Sequence, residues 1–168
     1  MKSKIFIGFL CLILIIFILP EPKMIPVKGA SDKDWNASTF WYGPWGTSGV
    51  HKGVDIFADK GTKVLAVTNQ IILYKGNFHK GGNVIVAIGP KLRLHYYAHL
   101  DQINHNTGLF TPIGTTIGSV GDTGNAKGKA PHLHYSILSL IPMPWLIDAS
   151  QQGYKKSFYL NPITYFLS

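Results

Sequence analysis

Two histidines, His132 and His134, stand one residue apart at the head of the apolar run APHLHYSIL. On a β-strand, residues i and i+2 point to the same face, with their Cα atoms roughly 6.5 to 7 Å apart. One imidazole can then bind a metal ion while its neighbour reaches water on that ion. A buried pair held by backbone carbonyls or water is an equally consistent interpretation, because unpaired buried polar groups are costly.

A second pair, His51 and Asp55, is separated by four positions in the stretch HKGVD. A helix would bring two such ligands together, whereas a straight strand would hold them about 13 Å apart. The intervening Gly53 and the β-branched residues that follow disfavour a helix. Convergence on one ion therefore requires a bend at Gly53, and a capping aspartate beside a surface histidine is the alternative.

A third candidate, His99, ends the run LRLHYYAHL. Period-2 alternation predicts one polar face that looks into a groove or solvent and carries Arg93, His95, Tyr97 and His99, with Leu94, Tyr96 and Ala98 on the other face.

These residues together predict a metal site. No Glu or Cys elsewhere gives a competing zinc-binding pattern, and the helical His-Glu-x-x-His motif is absent. Two ligands from His51 and Asp55, with a third from the His132/His134 pair, would leave a fourth position open. That arrangement is typical of catalytic rather than structural zinc.

The elements that must position these residues are short runs rich in β-branched residues and punctuated by glycine: KVLAV, QIILY, NVIVAI, LRLHYYAHL, TIGSV and HLHYSIL. Such runs predict an all-β fold, an antiparallel two-sheet sandwich-like domain with a substrate groove, over residues 35–168. Residues 61–67 and 114–120 are weakly similar in sequence, since each begins with Gly-Thr and ends in Val. This internal repeat, called the echo below, predicts two equivalent strands that each follow a glycine turn. The same echo occurs in domains that carry biotin or lipoate on a lysine, so a carrier domain is the non-enzymatic alternative.

The first 19 residues form a separate segment. Basic residues precede the apolar run 5–19, which predicts an N-terminal hydrophobic helix that serves as a membrane anchor or export signal. Fifteen helical residues rise roughly 22 Å against a hydrocarbon core of about 30 Å, so length fits both roles. The absence of a small-residue cleavage pattern favours an uncleaved anchor. Residues 20–34 then read as a Pro-containing linker.

This segment predicts an extracytoplasmic domain. Lys2 and Lys4 place the amino terminus in the cytoplasm, so the domain would be anchored in the cytoplasmic membrane and face the periplasm or cell wall, or be secreted after cleavage. Despite a net charge of +8, we expect anionic wall polymers or lipid headgroups rather than nucleic acid as partners, although scattered lysines also suit a solvated surface. The single cysteine, Cys11, lies in the apolar run and leaves the domain without a thiol. The sequence makes no prediction of oligomeric state.

Four motifs in register resemble the lysostaphin-type, or LytM-type, zinc metallopeptidases. They are His51-x-x-x-Asp55, Tyr97-Ala-His99-Leu100, Gly114-x-x-Ile-Gly118-x-Val-Gly121-x-Thr-Gly124 and Pro131-His-Leu-His134. The resemblance covers about residues 45 to 140 and the last few residues.

The resemblance implies a zinc endopeptidase that cuts peptide bonds in peptidoglycan stem peptides or cross-bridges. It implies that His51, Asp55 and His134 bind Zn²⁺, while His132 and His99 line the water and substrate. Because some relatives of this type regulate other wall hydrolases, a non-catalytic regulator or peptidoglycan-binding module is the alternative.

Two segments depart from the pattern of the resembled family. The loop 40–46 lacks the Arg-x-His-Pro pattern of many relatives, and residues 139–160 form an insertion after the last core run. Both are predicted to edge the substrate groove. Tyr42 in the first segment is a candidate oxyanion donor or a packing residue, and His79 and His105 are interpreted as loop residues.

Overall fold

The computed structural model of the protein describes residues 20–167. The predicted hydrophobic helix and anchor or signal, residues 1–19, lies outside the described residues. None of the helices in residues 20–167 is long and apolar enough to cross a membrane. The regular elements are β1 Val54–Phe57, β2 Lys63–Leu65, β3 Gln70–Phe78, β4 Gly82–Gly89, β5 Arg93–Ile103, β6 Phe110–Thr111, β7 Thr116–Val120, β8 His132–Ser139, β9 Tyr159–Leu160 and the helix α1 Pro162–Leu167.

All strand pairs are antiparallel, as the glycine-punctuated runs predict, and each of the six predicted runs contains a strand. The predicted division into two sheets is not what these strands form. They make one nine-stranded network in the order β1-β8-β5-β4-β3-β6, with β7 joined to β5 and β2, and β9 to β8. The reason is the length of β5, whose first half pairs with β8 and whose second half pairs with β7.

A bulge in β5 reverses which side chains face the core. Tyr97 pairs with Ile85 and Leu100 with Asn83, so β5 has one residue more than β4 between these pairs. His99 lies at this bulge with φ of +62°. Tyr97 and Leu100 are both fully buried, which leaves the two residues between them on the opposite side.

The predicted polar face of β5 was therefore wrong for two of its members. His95 and Tyr97 are fully buried in the core. One polar atom of each has a core partner: His95 Nδ1 lies 2.6 Å from Tyr135 Oη, and Tyr97 Oη donates to Gln70 Oε1 at 2.8 Å. His95 Nε2 is buried without a hydrogen-bond partner among the described residues. Local alternation alone gave the wrong result because the bulge changes the face between Tyr97 and His99.

The core lies on the inner faces of β1, β5 and β8. Strand β8 contributes Leu133, Tyr135 and Ile137, each fully buried, and β1 contributes Val54 and Ile56. Each such aliphatic side chain stabilises the fold by about 1.5–3 kcal/mol. The residues that alternate with them on β8 face outward, so His132 and His134 share one side of the strand, as their spacing predicts.

The segment predicted as a linker, residues 20–34, contacts the domain. Its backbone bonds to the strand region that contains β2, from Met24 N to Val67 O and from Lys28 N to Lys63 O, both at 3.0 Å. Val27 is 2% exposed and belongs to the core cluster. The domain boundaries themselves stay predictions.

The two echoing glycine-led segments are neighbours in space. Gly61 and Gly114 have φ of +91° and +79°, a conformation that glycine adopts without strain. The strands that follow them, β2 and β7, pair with each other. The echo thus marks two equivalent strands, as predicted.

Candidate metal centre

Three donor atoms meet at one point on the outer face of β8. His51 Nε2 lies 3.1 Å from Asp55 Oδ1 and 3.1 Å from His134 Nδ1, and these last two atoms are 2.8 Å apart. A tetrahedral zinc ion with bonds of about 2.1 Å places its ligands about 3.4 Å apart. Among residues 20–167, this is the only group of three or more such side chains close enough to share an ion. The donor set and its spacing fit zinc.

The register of β1 on β8 and a bend at Gly53 produce this convergence. Asp55 pairs directly with His134 across the two strands, so their side chains share a face. The chain bends at Gly53, which brings His51 back over the same face. A Cβ on Gly53 would lie 2.5 Å from both Ser136 Oγ and Tyr135 O, so only glycine fits against β8 here.

Neighbouring groups fix which ring nitrogens face the centre. His51 Nδ1 lies 3.2 Å from the carbonyl oxygen of Thr39, which can only accept, so Nδ1 carries the proton and Nε2 offers its lone pair. His134 Nε2 lies 3.0 Å from Ser136 Oγ, which leaves Nδ1 to face the centre. Trp45 stacks on the His51 ring at 4.2 Å between centroids and covers it.

The electrostatics keep Asp55 and His134 in the state that binds a metal. Burial acts to raise the pKa of the Asp55 carboxyl, but the nearby rings of His134 and His51 outweigh burial and hold that pKa below its usual range. Burial lowers the pKa of His134, so its ring stays neutral. A carboxylate and two neutral imidazoles are the forms that coordinate zinc.

Two further histidines face the same groove. His99 Nδ1 lies 2.9 Å from the Thr123 carbonyl oxygen, and His132 Nδ1 lies 2.8 Å from that of Ala130. Both Nδ1 atoms must donate, so each ring presents an unprotonated Nε2 to the groove when neutral. The two rings are 5.1 Å apart. Burial lowers the pKa of His99 to about 4, so this ring is neutral at neutral pH.

Two glycines in the loop between β7 and β8 hold His99 in place. A Cβ on Gly121 would lie 2.3 Å from Asp101 N, and one on Gly124 would lie 2.3 Å from Gly82 N. These close approaches press the loop against β4 and β5, where Thr123 Oγ1 donates to Leu100 O at 2.9 Å. The glycine-rich motif therefore delivers the carbonyl that orients His99.

The three metal-site residues and both further histidines line one groove of about 570 Å³. Other side chains on its wall include Trp45, Thr47, Lys52, Phe57, Lys80, Tyr96, Asn125 and Lys129.

Several other candidates lie elsewhere. Tyr42 is 55% exposed, packs on Trp45 and does not line the groove, so the structure supports packing over an oxyanion role. His79 and His105 are exposed turn residues, as predicted.

The two departing segments have different roles. Of the loop 40–46, Pro44, Trp45 and Gly46 line the groove, and Thr47, Ser48 and Val50 continue the same wall. The insertion 139–160 was also predicted to border the groove, but none of its residues lines it. The insertion instead supports the first segment, since Gln152 Nε2 donates to Ser48 O and Trp41 Nε1 donates to Gln151 O, both at 3.0 Å.

Sequence reasoning missed three contributors to the site. Ser136 was detectable, because it continues the His-x-His alternation on β8. Tyr96 was assigned to the wrong face, and the stacking of Trp45 on His51 depends on a loop with no periodic signal.

The bend at Gly53 gives the first testable prediction. A Gly53→Ala variant is expected to lose about 1–3 kcal/mol of stability and to bind zinc more weakly, because the new methyl group forces β1 away from β8. Thermal unfolding and zinc titration measure the two effects. Gly108→Ala is the matched control, since its Cβ would meet nothing closer than 3.7 Å. Equal thermal stability and equal zinc affinity in the two variants would contradict the close approach of Gly53 to β8.

Known proteins with similar sequences include peptidases and a murein hydrolase activator. Residues 49–142 match the profile of Peptidase family M23. Lysostaphin of Staphylococcus staphylolyticus is 34% identical over 131 residues, which is 70% of this chain and 26% of lysostaphin. The murein hydrolase activator NlpD of Escherichia coli is 30% identical over 118 residues, 70% of this chain and 26% of NlpD.

A solved structure extends the likeness to the fold. The crystallised catalytic domain of lysostaphin from Staphylococcus simulans superimposes with a TM-score of 0.58 at 30% identity, covering 74% of this chain and 86% of that domain. The chain thus spans most of a catalytic domain but only about a quarter of the two full-length relatives.

Proposed function

The chain belongs to Peptidase family M23, and from this premise we propose that it is a zinc-dependent endopeptidase that hydrolyses peptide bonds in the stem peptides or cross-bridges of peptidoglycan. The observation that carries the proposal is the triangle of donor atoms with edges of 2.8 to 3.1 Å beside two oriented histidines. His51 Nε2, Asp55 Oδ1 and His134 Nδ1 would hold the ion. When bound, zinc supplies a Lewis acid that polarises the scissile carbonyl and lowers the pKa of water.

The two further histidines would move protons. Each has its Nδ1–H fixed on a backbone carbonyl, so its Nε2 is free to accept a proton from the attacking water. If one of the two histidines accepts this proton, the other, in its protonated form, would stabilise the negative charge on the substrate oxygen or protonate the leaving amine. With 5.1 Å between their centroids, His99 and His132 can serve opposite sides of one peptide bond.

The groove would hold the peptide. Trp45 and Phe57 offer apolar contacts on either side of the metal site, since they stack on His51 and pack against His132 respectively. The Trp45 ring also shields the His51 imidazole, which is 1% exposed, from water.

The proposal includes an extracytoplasmic location, where peptidoglycan is found. It is supported by the basic residues and the apolar run 5–19, which would retain the protein at the cytoplasmic membrane. Amino-terminal sequencing of the mature protein tests whether this segment is retained, because a start near Ser31 would show that the segment is cleaved.

A second candidate function is activation of other wall hydrolases, since a murein hydrolase activator is among the relatives. The complete set of metal-binding side chains favours the enzyme. The family assignment also favours the peptidase over the carrier alternative.

One experiment separates the two functions. The zinc content of the purified chain and its release of muropeptides from isolated peptidoglycan are measured together. We expect about one zinc per chain and soluble peptide products. A wild-type protein that binds no zinc and releases nothing, yet stimulates a second hydrolase, would establish the activator instead.

A further inference from the structure

The charged residues on the groove wall are unbalanced. Three lysines, Lys52, Lys80 and Lys129, line it, and its only carboxylate belongs to Asp55. That carboxylate already contacts two histidines at the metal centre. Apart from the metal centre, the wall therefore carries positive charge alone, which in a cleft raises the local concentration of anions.

The other acidic residues of the protein lie outside the groove. The chain has eight in total, and those besides Asp55 are Glu21, Asp32, Asp34, Asp59, Asp101, Asp122 and Asp148. Four of them pair with basic residues elsewhere, as in the Lys60 pairs with Asp101 and Asp122. Within the described residues 20–167, no ion pair includes a groove lysine.

Two of the three lysines immediately precede residues whose carbonyl groups contact the histidines proposed to move protons. Lys80 precedes Gly81, whose carbonyl accepts from His99 N at 2.8 Å. Lys129 precedes Ala130, whose carbonyl orients His132. Lys52 differs, because its ammonium donates to the carbonyls of the adjacent loop, at 2.9 Å for Ser48.

We propose that the groove selects peptides with a free carboxylate close to the bond that is cut, and that Lys80 and Lys129 bind this carboxylate. The inference rests on the proposed function and narrows its substrate to acidic peptides, such as stems with an unamidated glutamate, over neutral peptides such as glycine bridges. Lys80 and Lys129 are thus specificity-determining residues that act on the substrate rather than on the bond.

Lys80 has a contact that a carboxylate can replace. Its Nζ donates to Thr47 Oγ1 at 2.7 Å, and Thr47 also lines the groove. A carboxylate carries a full opposite charge, so it attracts the Lys80 ammonium more strongly than the neutral Thr47 hydroxyl does. Lys129 is exposed on the loop that leads into β8, lines the same groove and, within residues 20–167, has no ion pair to lose.

The test compares two peptides that differ by one charge. They are L-Ala-γ-D-Glu-L-Lys-D-Ala with its free glutamyl carboxylate and the same peptide with that carboxyl as the amide. For the full zinc-loaded chain we expect kcat/KM to be about three- to tenfold higher for the acid than for the amide. The difference is modest because Lys80 and Lys129 would contact the carboxylate while partly exposed to solvent. The ratio should fall towards one as salt rises from about 0.05 to about 0.5 M.

Variants assign the preference to the two lysines. The ratio of acid to amide should fall about twofold or more in Lys129→Gln and approach one in the double variant Lys80→Gln/Lys129→Gln. Lys127→Gln is the matched control, since it lies two residues away, removes the same charge and does not line the groove. An equal ratio in wild type, or an equal fall in Lys127→Gln, would overturn the inference.

A binding measurement separates this inference from the proposed function. Calorimetry with the Asp55→Ala variant compares the affinity of both peptides in the absence of hydrolysis. Tighter binding of the acid, abolished by the added Lys80→Gln/Lys129→Gln changes, supports the carboxylate site even if the wild type hydrolyses neither peptide. Equal affinities overturn the carboxylate site, whatever the wild type hydrolyses.

Discussion

An Asp55→Ala variant is expected to purify without zinc and to release peptides from peptidoglycan at least about 10³-fold more slowly than the wild type. Asp55 supplies the only anionic ligand of the proposed site, and its Oδ1 contacts both imidazoles, at 2.8 and 3.1 Å. Without it, two neutral nitrogens hold the ion, and the proposed activity requires the ion. Metal analysis by mass spectrometry and a muropeptide assay measure the two losses.

The control for this variant is Asp59→Ala, which removes the same charge four residues away from an exposed side chain outside the groove. Thermal unfolding of both variants in chelator shows whether the fold is kept without metal. An Asp55→Ala protein that retains one zinc per chain and full activity would contradict the assignment of Asp55 as a ligand.

A His99→Asn variant is expected to keep its zinc and lose about 10²- to 10⁴-fold in kcat, whereas His134→Asn loses zinc and activity together. The difference follows from position, because His134 Nδ1 faces the other two donors while His99 is oriented by Thr123 outside the triangle. Asparagine is chosen at position 99 because it tolerates the φ of +62° found there better than alanine does.

Zinc content and kcat are measured for both variants, with His105→Asn, an exposed turn residue, as the control. Equal zinc loss in the two groove variants would show that the proposed division between ligand and proton carrier is wrong. Unchanged kcat in His99→Asn would leave His132 as the sole base.

The sequence by itself determined the features that depend on local pattern. Glycine-punctuated apolar runs predicted the antiparallel strands, and the two-residue spacing of His132 and His134 placed both side chains on one face, because side-chain direction alternates along any strand. The match of motifs in order identified the family, which the profile over residues 49–142 shows.

Tertiary structure decided the features that depend on contacts between distant residues. The approach of His51 to Asp55 requires the bend at Gly53 and the packing of that glycine on β8, more than 80 residues further along the chain. The spacing of the two side chains allowed this approach without requiring it. Likewise, strand order joined the two predicted sheets into one through the length of β5.

The position of His99 shows the physical reason most directly. Local alternation placed it with His95 and Tyr97, yet those two are buried and His99 faces the groove. The change of face comes from the bulge opposite β4 and from the loop that brings Thr123 to the ring. Periodicity describes only a regular strand, and a bulge is stabilised by partners that lie far away in the sequence.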